Sequence, residues 1–246
     1  MKKKLPAGPV PVKPVQWKRV LKWEGEAVLT LSLRRPSLPG EAAGERRVER
    51  CYARLEESWR GRWEGELYRR ACAAAAESRA QSRPFRPWEA ALDYTVTLQT
   101  DTLLSLYLDA YEYTGGAHGT TVRHADTWEP RTGTARTLGS FFPPRRRWRH
   151  LVLLDMQAQA RKRIAAGESL FFDDWQDRMA REFCADRFYL TEGGIAVFYP
   201  LYAIAPYAEG IPVFVLPRPG LDCIHGFQTA ADAVPVHFSR TSKRTS

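Results

Sequence analysis

The chain has 246 residues, 44% of them hydrophobic and 12% aromatic, which is enough apolar material for a packed core of one or two domains. Its formal net charge of +9 arises within residues 1–90, and the rest of the chain is balanced. No apolar stretch of about 18 residues occurs, so we expect no membrane span. The four cysteines form no C-x-x-C pair and therefore have no metal-site spacing.

The first 90 residues begin with a Lys- and Pro-rich stretch, residues 1–14, which we predict to be a disordered tail. Its prolines interrupt the apolar run that a signal peptide needs, so we expect the chain in the cytoplasm. Two strands are expected within residues 15–33, joined by a turn at residues 24–26. Residues 41–80 are predicted to form one long helix or two, because apolar residues recur at spacings of three and four. The predicted buried stripe consists of Val48, Tyr52, Leu55, Trp59, Trp63 and Leu67.

Strict alternation of apolar and polar residues gives the clearest strand signals. Residues 92–99 and 104–112 both alternate and flank a short polar turn, which predicts an antiparallel hairpin. Residues 120–128 and 134–138 flank the sequence "EPRTG", whose proline and glycine suit a hairpin loop.

The C-terminal part is predicted to contain two helices, at residues 151–166 and 171–186, before the last strands. Residues 218–246 are expected to be a loose tail with one weak strand at 234–238. Helices in two blocks between hairpins predict an α+β fold, built of antiparallel hairpins, a long N-terminal helix and a pair of helices before the last strands. Those strands are expected at residues 188–190, 195–199 and 211–216. The first of the two helices is predicted to have one apolar face with Leu151, Leu154, Ala158, Ile164 and Ala165.

A glycine-rich turn, "YTGGAHG" at residues 113–119, separates two predicted strands. Adjacent glycines adopt backbone angles that a side chain forbids, so the chain can bend sharply there. We expect His118 to make buried hydrogen bonds to the backbone of its own turn. The predicted structural positions are Tyr113, Gly115, Gly116, His118 and Gly119, together with Gly210 later in the chain.

Three features resemble the RsiV-type domain family when taken in order: this turn, a hairpin with Gly133 and Leu138, and "FYPLYAIAPYAEGIPVFVLP" at residues 198–217. In that family a PdaC/RsiV-like half precedes a domain of unknown function, number 3298. The resemblance implies a bacterial α+β protein with a first half at residues 15–119 and a second at 120–217. It also implies a binding role, because RsiV itself binds lysozyme.

The chain departs from the family in what surrounds these two halves. We see no membrane helix, no sigma-binding segment and no deacetylase domain in the sequence. The anti-sigma and deacetylase functions therefore do not carry over. We predict a non-catalytic protein without cofactors, whose partner is a protein such as lysozyme or another cell-wall-related ligand.

An aromatic and proline-rich cluster is the predicted binding surface, because exposed tyrosines are frequent anchors. The alternative is that alternate members are core of the last strands. Tyr111 and Tyr113 lie opposite the leucines of their strand and extend the same surface. The cluster consists of Tyr199, Pro200, Tyr202, Pro206 and Tyr207.

Two further classes of function stay open. His118, His124 and Asp126 are the best candidates for a metal-dependent hydrolase, which requires three or more convergent ligands. Residues His124 and Asp126 share a strand face, because side chains repeat every two residues. The basic excess of residues 1–90 is the basis for a nucleic-acid-binding module, although interleaved Arg and Glu favour an exposed helix face instead.

Overall fold

The computed structural model describes residues 8–143 and 147–217. Half of the predicted N-terminal tail, residues 1–7, and the whole of the predicted tail at 218–246, with its weak strand, lie outside the described residues. Within the described part of the first 14 residues, a strand already begins at Lys13.

Six strands form a mixed sheet in the order in which they occur in the sequence. Four of the five pairings are antiparallel, and the hairpins predicted from alternation are confirmed. The first hairpin turns at Glu24 and Gly25, both with positive φ, as a two-residue hairpin turn requires. The strands are β1 (Lys13–Trp23), β2 (Glu26–Ser37), β3 (Trp88–Gln99), β4 (Leu104–Tyr113), β5 (Thr120–Glu129) and β6 (Thr134–Ala135).

The pairing of β2 with β3 is parallel, which the expectation of antiparallel hairpins did not include. A parallel pair needs a long crossover connection, and a helical segment supplies it. This segment consists of α1 (Ala43–Arg62), a π-helical turn (Trp63–Leu67) and α2 (Tyr68–Ala80). The π turn contains Gly65. Val48, Tyr52, Trp63 and Leu67 of the predicted stripe are fully buried, and Leu55 and Trp59 are partly buried.

The C-terminal part forms a three-stranded antiparallel sheet with two helices. Helix α3 (Trp148–Ala165) agrees with the prediction, whereas α4 (Trp175–Arg181) is shorter than predicted. Short 3₁₀ helices occupy Leu138–Phe141 and Tyr207–Glu209. The strands are β7 (Phe188–Thr191), β8 (Gly194–Phe198) and β9 (Val213–Pro217).

The buried face of α3 is not the predicted one. Val152, Met156 and Ala160 are in the core, whereas Leu151 and Leu154 are exposed. Both faces of α3 carry apolar residues. The face that meets the three-stranded sheet carries Val152, Met156 and Ala160, which are four positions apart. The side chains of Gln159 and Arg163 on this helix also donate hydrogen bonds to β9 carbonyl groups.

The helical segment covers one face of the six-stranded sheet, and the small sheet packs against part of the other. At this contact the rings of Tyr107 and Tyr189 lie 5.1 Å apart. The Leu190 amide donates a hydrogen bond of 2.8 Å to the buried Ser105 hydroxyl. None of the helices in the described ranges is long and apolar enough to cross a bilayer.

Candidate functional site

The glycine-rich turn is held by hydrogen bonds of its own residues. Gly115 and Gly116 both have φ of 89°, a conformation that favours glycine. The Tyr113 hydroxyl donates to the Gly116 carbonyl at 3.0 Å. His118 Nδ1 lies 3.1 Å from the Gly119 carbonyl oxygen, so the imidazole donates from Nδ1. The expected bond from His118 to its own turn is therefore present, but the side chain is exposed rather than buried.

The turn meets the loop that follows β8. The His118 ring stacks on the Tyr207 ring, with centroids 3.7 Å apart and 14° between the planes. The Tyr202 hydroxyl lies 3.4 Å from His118 Nε2. The Tyr202 and Tyr207 rings are 5.8 Å apart. We call His118, Tyr202 and Tyr207 the aromatic cluster.

The loop holds its tyrosines in a defined conformation. Tyr202 has φ of 62°, a left-handed conformation that non-glycine residues rarely adopt, and its side chain is 49% exposed. The Ala203 amide donates to the Pro200 carbonyl at 3.1 Å, which closes the turn around Tyr202. Gly210, with φ of 67°, ends the 3₁₀ helix that Pro206 precedes. Pro200 and Pro206 are half-buried at the two ends of the loop.

Tyr199 belongs to the core and not to this surface, which corrects its assignment as a binding residue. It is 1% exposed, its hydroxyl donates to the Met179 carbonyl at 2.9 Å, and its ring lies edge-on to Phe214. Burial raises the pKa of the Tyr199 phenol well above its ordinary value. The alternative that some members of the aromatic stretch are core therefore holds for Tyr199.

Tyr111 extends the aromatic cluster on the sheet. Its ring lies so close to Gly119 that any Cβ at position 119 would clash with it. Glycine is thus required at 119 for this packing rather than for an unusual φ. Burial, followed by the proximity of Glu89 and Tyr207, raises the pKa of Tyr111.

The three candidate hydrolase residues do not converge. His124 Nε2 lies 3.1 Å from Asp126 Oδ2, whereas His118 belongs to the aromatic cluster. Asp126 also accepts from Tyr52 at 3.2 Å, and Tyr52 in turn accepts from the Trp128 indole at 2.8 Å. Across residues 8–143 and 147–217, no three His, Cys, Asp or Glu side chains are arranged to hold a metal ion. The sequence does not predict that Tyr52 bonds to Asp126 and Trp128, because its position in an apolar helix stripe indicates only burial.

Many basic side chains of the first 90 residues are in ion pairs. Arg35 is buried between Glu49, at 2.8 Å, and Glu56, at 2.6 Å. Arg62 pairs with Glu112 at 2.7 Å. These pairs are contacts between the helical segment and the sheet, and they involve only some of the interleaved charges. Further pairs join Arg19 to Glu64 and Arg79 to Glu24.

These layers define an α+β protein with a mixed six-stranded sheet, a helical crossover and a small antiparallel sheet. The family model described as "Deacetylase PdaC" matches residues 61–121, and the model described as "Protein of unknown function (DUF3298)" matches residues 154–219. These two matches support a DUF3298/PdaC-type domain family, with the PdaC-type segment before the DUF3298-type segment, as the motifs predicted. His118 lies in the first matched segment, and Tyr202 and Tyr207 lie in the second.

Two solved structures of bacterial proteins share this fold. A DUF3298 family protein from Pseudomonas aeruginosa PAO1 has 20% identity and a TM-score of 0.54, over 85% of this chain and 91% of that chain. A DUF3298 family member from Bacteroides fragilis NCTC 9343 has 18% identity and a TM-score of 0.64, over 86% of this chain and 91% of that chain. At these identities the likeness concerns the fold alone. No curated protein matches the chain.

Proposed function

We propose that this protein is a non-catalytic binding module and that the aromatic cluster is its contact surface. The observation that carries the proposal is Tyr202, which is 49% exposed while its backbone has a left-handed conformation. Residues in such rare conformations concentrate at functional sites, because the surrounding structure must hold them there. Tyrosine combines a large contact area with a polar tip, which makes it a frequent anchor.

The cluster is well suited to binding because it is ordered before a partner arrives. The stack of His118 on Tyr207 supports the loop from one side, and a turn from Pro200 to Ala203 closes it on the other. A surface that is already rigid loses less entropy on association, so more of the contact energy appears as affinity.

The partner class we propose is a protein or another cell-wall-related ligand, with lysozyme as the first protein to test. The support is the resemblance of the two motifs to the RsiV-type family, in which RsiV binds lysozyme. Placement in the cytoplasm stays a prediction of the sequence.

Titration calorimetry with lysozyme tests the proposal directly. If the cluster is the contact surface, Tyr202→Ala weakens binding by about 2 kcal/mol, which is roughly thirtyfold. The matched control is Val122→Ala on β5, since Val122 is 54% exposed and lies outside the cluster. The control is expected to bind like the wild type.

If lysozyme gives no heat of binding, the same three proteins are sedimented with purified insoluble peptidoglycan. Co-sedimentation of the wild type and of Val122→Ala, but not of Tyr202→Ala, supports a cell-wall ligand. A folded Tyr202→Ala variant that binds as tightly as the wild type overturns the assignment of the surface. Absence of binding to both probes overturns the proposed partner class.

A further inference from the structure

A cavity that opens to solvent lies on the face of the six-stranded sheet opposite the helical segment, on strands β1, β2 and β3. Its volume is about 560 Å³, within the usual range of about 300–1,000 Å³ for small-molecule sites. It is separate from the aromatic cluster, which contributes none of its lining residues. The cavity is lined by Gln16, Trp17, Lys18, Ser32, Leu33, Arg34, Ala91, Leu92 and Asp93.

The cavity exists because β2 and β3 separate at this point. Their parallel ladder ends at the pair Leu33 and Leu92. Beyond it Arg34 spans the opening, donating to the Tyr94 carbonyl at 2.8 Å and to Asp93 at 2.5 Å. The register also sets the small side chains of Ser32 and Ala91 side by side. Small side chains beside a divergence of strands leave room for a ligand.

The side chains on this face are mostly hydrogen-bond donors. Lys18 is the cross-strand partner of Ser32, and Gln16 is the partner of Arg34, so all four share one face. The Trp17 indole points to the opposite face, where it donates to Glu56. Each of these four side chains can donate to a ligand.

The charge of the cavity is positive. Among the described residues that line it, Asp93 is the only carboxylate, and it already accepts from Arg34. Within residues 8–143 and 147–217, no carboxylate lies within ion-pair distance of Lys18. The lining therefore has one positive charge in excess and a surplus of donors, which matches a ligand that carries a negative charge and several acceptors.

We propose that this cavity binds the carboxylate group of a small ligand, with Lys18 and Arg34 as the charged contacts and Gln16 and Ser32 as donors. A carboxylate of this kind occurs at a free organic acid and at the C-terminus of a peptide. The cavity and the aromatic cluster have no residue in common, so the inference does not depend on the aromatic cluster or on its partner.

The experiment follows backbone amide shifts of the full chain by NMR during titration with two carboxylates. Succinate represents a free acid, and N-acetylglycylglycine represents a peptide C-terminus. Succinamide and N-acetylglycylglycinamide are the uncharged controls. We expect saturable shifts at Ser32, Arg34 and Ala91 with at least one carboxylate and none with its amide. The carboxylate that binds more tightly identifies the source.

Lys18→Gln is expected to weaken carboxylate binding by about tenfold, the loss typical of one charge-assisted hydrogen bond. Lys22→Gln removes the same charge from the same strand outside the cavity and is the matched control. Equal binding of acid and amide, equal effects of the two Lys variants, or shifts that map elsewhere overturn the proposal. Inorganic phosphate that binds as tightly as the carboxylates overturns the assignment of the ligand class.

Discussion

The imidazole ring of His118 lies face to face with the phenol ring of Tyr207, 3.7 Å apart between centroids. His118 lies in the turn between β4 and β5, and Tyr207 begins the 3₁₀ helix before β9. One aromatic stack therefore joins the six-stranded sheet to the loop of the small sheet. The stack also brings together the two segments that match the two family models.

The contribution of this stack to stability is expected to be modest. His118→Ala should lower the free energy of unfolding by about 1 kcal/mol, the usual value of one aromatic pair. The larger loss that follows from buried hydrogen bonds is not expected, because the side chain is exposed. His118→Phe keeps a ring but loses the Nδ1 donor, and is expected to retain most of the stability. Urea unfolding measures the stability of both variants. A loss above about 3 kcal/mol for His118→Ala would contradict the assignment of His118 to an exposed aromatic stack.

Tyr199 and Tyr202 are expected to respond in opposite ways to truncation. Tyr199→Ala removes a ring that is 1% exposed and should cost about 3–5 kcal/mol of stability, as large core truncations do. Tyr202→Ala removes an exposed ring and should change stability by less than about 0.5 kcal/mol. Chemical denaturation of the two variants tests whether Tyr199 is a core residue and Tyr202 a surface residue. Comparable losses in both would mean that the loop is a core element.

The pair of His124 and Asp126 is expected to make stability depend on pH. The hydrogen bond to Asp126 raises the pKa of His124 above its ordinary value of about 6.5, and partial burial opposes the shift. A raised folded-state pKa contributes stability that is fully present below the unfolded-state pKa and is lost as the pH rises through the folded-state pKa.

His124→Gln should therefore be less stable than the wild type at pH 5, and the difference should shrink as the pH rises above neutrality. In an NMR titration, Asp126→Asn should return the His124 pKa towards its ordinary value. A His124 pKa that is the same in the wild type and in Asp126→Asn would show that Asp126 is not the cause of the shift.

Glu56 is expected to contribute to stability at neutral pH but not in acid. Burial alone would raise its pKa, but hydrogen bonds from Arg35 and Trp17 outweigh burial and lower it. A lowered folded-state pKa contributes stability that is present above the unfolded-state pKa and is lost as the pH falls through the folded-state pKa. Glu56→Gln should cost about 1–3 kcal/mol at pH 7, because the Arg35 charge stays buried with a weaker partner.

The matched control is Glu57→Gln, which removes the same charge from an exposed position one residue further along α1. Thermal or urea unfolding between pH 7 and pH 3 should show the Glu56→Gln deficit shrinking below about pH 4. A flat difference across this range, or an equal loss in the control, would contradict the prediction.

Local sequence patterns determined most of the secondary structure and the turns. Alternation in β3 and β4 was enough to predict their hairpin, because a strand with one buried face repeats every two residues. Gly115 and Gly116 predicted a sharp turn, because only glycine adopts their φ without strain. The resemblance to the DUF3298/PdaC-type family followed in the same way, since the motifs that carry it are short and contiguous.

Contacts between distant segments were decided only by the tertiary structure. Both faces of α3 carry apolar residues, so the pattern led to Leu151 as the predicted core residue, whereas packing against the three-stranded sheet buries Val152. The parallel pairing of β2 and β3 depends on where the helical crossover returns the chain. His118 meets Tyr202 and Tyr207 only because the small sheet packs on the larger one, a contact that no local periodicity records.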